Sequence, residues 1–183
     1  MAFALLGEWA APPGASRAAA ETVGVEPYAG GTGHRNRIVS WFERRLIQGR
    51  IERSDSPFLV IDPRRGLRIV DANEHYLAAT MMSRRDLCGE RMFDAFPDNP
   101  LDPAANGVNK LYASLCRAAH TGEINCMALQ RYDVADASGA FTERYWLPTN
   151  TPIYDSEGRL LYLLHHVRNV TAQVLKTRAG RAF

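Results

Sequence analysis

Two strand-like segments precede a block of helical signals in this chain and three follow it, so a sheet that unites them must close across the helices. The first pair, 58–62 (FLVID) and 67–70 (LRIV), is separated by Pro63-Arg64-Arg65-Gly66 and reads as a hairpin. Asp71 and Asn73 then offer caps for a short helix over ANEHYLAATM. Ser83 with Asp86 three residues on forms a capping-box pattern, and RMFDAF reads as a third short helical piece. After a rigid loop containing Pro97, Pro100 and Pro103, Asn106 caps a longer helix. That helix carries Val108, Leu111, Tyr112, Leu115 and Ala119 on one face and stops at Gly122. Beyond it, 124–134, 141–153 and 159–170 read as strands, divided by the turns Asp136-Ala137-Ser138-Gly139 and Asp155-Ser156-Glu157-Gly158. Helices segregated beside an antiparallel sheet make an α+β domain. Pairing the two ends around the helical insertion leaves a concavity between helices and sheet.

At 183 residues the chain has room for one domain with extensions. A hydrophobic content of 46% excludes wholesale disorder. No apolar run reaches the roughly 18 residues of a membrane-spanning helix, so no membrane insertion is expected. The start, MAFALLGEWAAPP, has no basic residue and carries Glu8, unlike a secretory signal. Cys88, Cys116 and Cys126 form no close pair, which fits a reducing compartment and predicts a cytoplasmic protein. The basic residues are 20 Arg and 2 Lys, which by association suggests a GC-rich bacterial genome.

Residues 1–33 are rich in Ala, Gly and Pro and read as a flexible leader. Over 34–54 the residues Ile38, Trp41, Phe42 and Leu46 recur at helical spacing opposite Arg and Glu. Such an apolar stripe needs a partner surface, either the following domain or a second chain. Six Arg against two Glu make this segment basic, whereas residues 56–175 hold 12 basic and 14 acidic side chains. Nucleic-acid binding calls for a basic face on the folded domain itself, and with the positive charge on the flanks nucleic acid is not the expected partner.

The segments SPFLVID, IVDANEHYLAAT, DLCGERMFDAFPDNP and ERYWLPTNTPIYDSEGRLLYLLHHVRNVT, in this order, resemble the PAS domain, the small sensory module of bacterial signalling proteins. The likeness covers about residues 54–172 and is to PAS domains attached to sensor kinases and response regulators of two-component systems. It implies a five-stranded antiparallel sheet in the order 2-1-5-4-3 with helices on one face. It implies sensing and protein–protein contact rather than catalysis. It also implies that the helix at 34–54 is an N-terminal cap through which two copies form a homodimer. Asn169-Val170-Thr171 resembles the Asp-hydrophobic-Thr ending at which PAS domains hand over to a signalling helix, with Asn169 standing where an acid is commoner. The organisation expected is a leader at 1–33, a cap helix at 34–54, the PAS domain at 55–172 and a helical tail at 173–183. No kinase, cyclase or DNA-binding output follows within the sequence. The expected output is therefore contact with another protein, such as a sensor kinase.

Candidate chemistry is sparse. There is no Gly-x-Ser-x-Gly, no metal-ligand helix and no Cys/His/Asn order of a hydrolase. His165 and His166 are adjacent in a strand, point to opposite faces and cannot share a metal. The string Asn125-Cys126-Met127-Ala128-Leu129-Gln130 is similar to one in flavin-binding light sensors of the superfamily. Here it follows the long helix and lies in a strand, whereas a photoactive cysteine sits on a helix ahead of it. His120, the haem-ligand candidate, stands at the last turn of the long helix, where the end carbonyls account for it. Neither flavin nor haem is expected, and a cofactor-bearing sensor of redox, gas or light is the alternative reading. Trp146, Pro148, Asn150 and Pro152 share one strand face, Gln130 and Tyr132 share another, and His165 faces inward with Leu163 and Val167. Buried Gln, Asn and His require partners. Two arrangements supply them: a cross-strand hydrogen-bond network, or a small organic ligand held by Gln130, Asn150 and His165 with Tyr132, Trp146, Leu115 and Leu163 as its wall.

Overall fold

The computed structural model of the chain describes residues 45–64, 66–136 and 138–180. A helical segment at 45–52 leads into the hairpin of β1 (Phe58–Asp62) and β2 (Arg68–Ala72). Three short helices follow, α1 (Glu74–Thr80), α2 (Arg84–Leu87) and α3 (Met92–Ala95), and then the longer α4 (Gly107–Thr121). The second half holds β3 (Asn125–Cys126), β4 (Gln130–Arg131), β5 (Val134–Ala135), β6 (Phe141–Thr142), β7 (Tyr145–Tyr154) and β8 (Leu160–Asn169). A last helix, α5, covers Thr171–Ala179.

The sheet is antiparallel in the order β2-β1-β8-β7, and both β3 and β4 pair with the far side of β7. The two ends of the chain thus meet at β1 and β8, where Leu59 stands opposite His165 and Ile61 opposite Leu163. The single third strand expected over 124–134 is broken into β3, β4 and β5. Cys126 pairs with Thr149 and Gln130 with Trp146, so three residues on one side face two on the other, a bulge. Proline explains the break. Met127 N–H donates to the Pro148 carbonyl at 2.9 Å, and Pro148 has no N–H to return. The Gln130 amide instead donates to the carbonyls of Ala128 and Leu129, at 2.9 and 3.2 Å.

The inner sheet face and the helices share one buried cluster, in which Leu59, Ile61, Ile69, Leu163 and Val167 pack with Leu111, Leu115 and Ala118 of α4. The outer face is apolar too. There Val60, Leu161 and Tyr162 pack with Ile51 and Ile47 of the helical segment at 45–52. Helical segments therefore lie against both faces, and among the described residues the outer contact comes from Ile51 and Ile47. Within the expected stripe Leu46 is 70% exposed, whereas Ile38, Trp41 and Phe42, like the leader 1–33, lie outside the described residues.

Local polar chemistry sets the entry angles of the short helices. Asn73, wholly buried, accepts from Tyr76 N–H at 3.0 Å and from Phe58 N–H at 2.9 Å, and its amide donates to the carbonyls of Ile51 and Ser56. One side chain thus ties the helical segment, β1 and α1 together. Asp71 is not a cap; it is buried and pairs with Arg84, which also reaches Glu52 at 2.7 Å. Ser83 caps α2 by accepting from Asp86 N–H. Asn106 makes no capping bond, and Asp98 Oδ1 accepts from Val108 N–H at 3.1 Å in its place. Gly122 ends α4 at φ +73°, a conformation glycine adopts without Cβ strain.

Candidate functional site

A cavity of about 490 Å³, open mouth included, lies between the sheet's inner face and the short helices. The helical wall comes from Tyr76 and Thr80 of α1, Met92 of α3, Phe96 just after it, and Gly107 and Leu111 of α4. The sheet wall comes from Met127, Gln130, Tyr132, Val134, Trp146, Pro148, His165 and Val167. Tyr132 bolts the two walls together: its hydroxyl donates to the Phe96 carbonyl, and its own carbonyl accepts from Trp146 Nε1–H at 2.8 Å. Burial keeps the Tyr132 phenol protonated well above the usual range. Glycine at the start of α4 makes room for the ring, because a Cβ on Gly107 would stand 2.1 Å from Tyr132 Cδ2.

Behind the sheet wall runs a chain of buried polar groups. His165 Nδ1 lies 2.7 Å from Asn150 Oδ1, Asn150 Nδ2 donates to Ser114 Oγ at 2.7 Å, and Ser114 Oγ donates to Asn125 Oδ1 at 2.5 Å. Asn150 Nδ2 also faces the Met127 sulfur at 3.8 Å, a weak acceptor, which fixes the orientation of the amide. Its oxygen therefore accepts from His165, and the ring carries its proton on Nδ1. Burial, with a small contribution from His166, pushes the imidazole down to about 3. At neutral pH His165 is uncharged, with a lone pair on Nε2. His166, on the opposite face, is half-buried against the Phe58 ring at 4.9 Å.

Four of the residues expected at a site meet in the cavity wall: Gln130, Tyr132, Trp146 and His165. Asn150, Leu115 and Leu163 are fully buried outside the wall, the first in the polar chain and the other two in the core. The sequence did not point to the helical half of the wall or to Ser114. Cys126 is exposed on β3 and His120 is exposed at the end of α4; neither lines the cavity.

The sheet also fixes the start of α5. Tyr145, next to Trp146, donates its N–H to Thr171 Oγ1 at 2.9 Å and accepts at its carbonyl from Val170 N–H at 2.8 Å. Asn169 Oδ1 accepts from the Thr171 hydroxyl at 2.6 Å and from Thr171 N–H at 3.0 Å. An amide oxygen here makes the two bonds that a carboxylate would make.

A family model described as the PAS fold matches residues 51–175. The chain belongs to the PAS family. Its fold is similar to solved structures that include a Rhodobacter sphaeroides LOV protein, at a TM-score of 0.55 and 14% identity over 71% of this chain and 68% of that one. The PAS domain of the fruit-fly ELK potassium channel matches at a TM-score of 0.52 and 14% identity, over 70% of this chain and 97% of that one. A PAS domain from Colwellia psychrerythraea matches at 0.51 and 14% identity, over 71% and 98%. At such identities these likenesses concern the PAS fold alone. No curated protein matches the chain. Among the described residues, no helix is long and apolar enough to cross a membrane.

Proposed function

We propose that this PAS domain is a sensory module in which a small organic ligand in the cavity sets the contacts the chain makes with another protein, without catalysis. The observation that carries the reading is the shared strand: Trp146 walls the cavity, and the adjacent Tyr145 holds Thr171 at the start of α5. A ligand that shifts Trp146 has one residue to cross before it reaches the exit helix. Gln130, Tyr132 and His165 are the polar groups proposed to meet the ligand, and Asn150 acts by holding the His165 ring. The partner proposed is a sensor kinase or similar signalling protein, along with a second copy of the chain joined through Ile38, Trp41, Phe42 and Leu46. A flavin or haem has less support, because the described wall offers no cysteine, no cation for a phosphate or propionate, and one histidine whose Nδ1 is already bonded.

Thermal unfolding of the full chain against a library of small metabolites tests this. A compound that raises the melting temperature of the wild type by several degrees, and not that of a folded His165→Ala variant, is the expected result. No shift with any compound, together with a marked loss of stability in His165→Ala, would show that the polar chain is purely structural.

A further inference from the structure

From the wall of this cavity we infer the chemical class of the ligand: an uncharged, largely apolar molecule that presents a hydrogen-bond donor to Gln130 Oε1 and His165 Nε2. The inference rests on the ligand-sensing reading above and narrows it. None of the side chains in the described wall is an acid, a lysine or an arginine, so a charged ligand would lose its hydration with no counter-charge to meet it.

Apart from the Tyr76 phenol, the side-chain polar valences left open in the described wall are acceptors. Trp146 Nε1–H is committed to the Tyr132 carbonyl, the Tyr132 hydroxyl to the Phe96 carbonyl, and the Thr80 hydroxyl to the Tyr76 carbonyl. The Gln130 amide nitrogen is committed to two backbone carbonyls, while its Oε1 is buried with no hydrogen-bond partner. Exchanging the two ends of that amide would set its oxygen against both carbonyls, so the open atom is the acceptor. His165 contributes a second acceptor, because Nδ1 carries the proton bonded to Asn150 and the ring stays neutral. The Tyr76 phenol, also in the wall, can serve either way. A buried acceptor left without a donor is costly, and a ligand N–H or O–H relieves that cost.

The full chain is titrated with three probes of similar size while the Trp146 indole proton is followed by NMR. Indole is neutral with a donor, 1-methylindole is neutral with the donor blocked, and indole-2-carboxylate carries a charge. The expected result is that indole binds about tenfold more tightly than 1-methylindole, equivalent to about 1.4 kcal/mol, and that the carboxylate does not bind. Gln130→Met, which removes the acceptor at similar volume, is expected to narrow the indole preference while the Trp146 signal keeps its folded position. Equal binding of indole and 1-methylindole, or binding of the carboxylate, would overturn the assigned class and leave the pocket standing. Failure of all three to move the Trp146 signal would overturn the class and the ligand reading together.

Discussion

Asn150 is fully buried, and both ends of its amide are bonded to protein groups, which decides what His165 can offer. A neutral ring in the folded state has a consequence for stability. In the unfolded chain an imidazole titrates near 6.5, whereas burial brings His165 down to about 3. Between those values the unfolded chain binds a proton that the folded one refuses. This contribution to stability is therefore complete above about pH 6.5 and is lost as the pH falls toward 3. Going from about pH 7 to 5.5, above the range where ordinary carboxylates titrate, the loss from this one group is about 1 kcal/mol. Urea unfolding at the two pH values is expected to show that fall in the wild type and a smaller one in His165→Gln. Equal falls would mean that His165 titrates freely in the folded protein.

At the scale of elements, the short helices were legible because their signals are local. Asn73 and Ser83 cap where their spacing placed them. Pro148 announced irregular pairing on β7, although the resulting division of the neighbouring strand into β3, β4 and β5 depends on a register that spacing alone does not give. Asn106 stands at the N-cap position of α4 as its spacing predicts, but the capping bond comes from Asp98, which arrives through a loop of prolines that spacing alone does not place. Asn73→Ala removes a cap and takes a donor from the carbonyls of Ile51, which keeps Ser54 N–H, and Ser56. A loss of about 3 kcal/mol in denaturant unfolding is expected; a loss under about 1 kcal/mol would mean that water replaces the side chain. Gly107→Ala forces the Tyr132 ring away from the start of α4. It is expected to cost about 1–3 kcal/mol by overpacking, measured as a lower denaturant midpoint, and an unchanged midpoint would show that the ring does not need that space.

For the molecule as a whole, the order of strands and helices was enough to read an α+β sheet closed across a helical insertion, and the family match bears out the PAS fold. The site was legible on its sheet side only. Strand parity gives the direction of Gln130, Tyr132, Trp146 and His165, but spacing does not give depth, so it places Leu115 and Leu163 in the wall, whereas they are core behind it. Tyr76, Thr80 and Phe96 were not readable as wall because their position depends on how three short helices fold back over the sheet. We propose that the cavity communicates with α5 through Trp146, Tyr145 and Thr171. The most direct measurement is an amide NMR titration of the full chain with indole, comparing the Trp146 indole signal with the backbone signals of Val170 and Thr171. All three signals are expected to move along one binding curve with one dissociation constant. Movement of the Trp146 signal to saturation while Val170 and Thr171 stay in place would contradict this proposal.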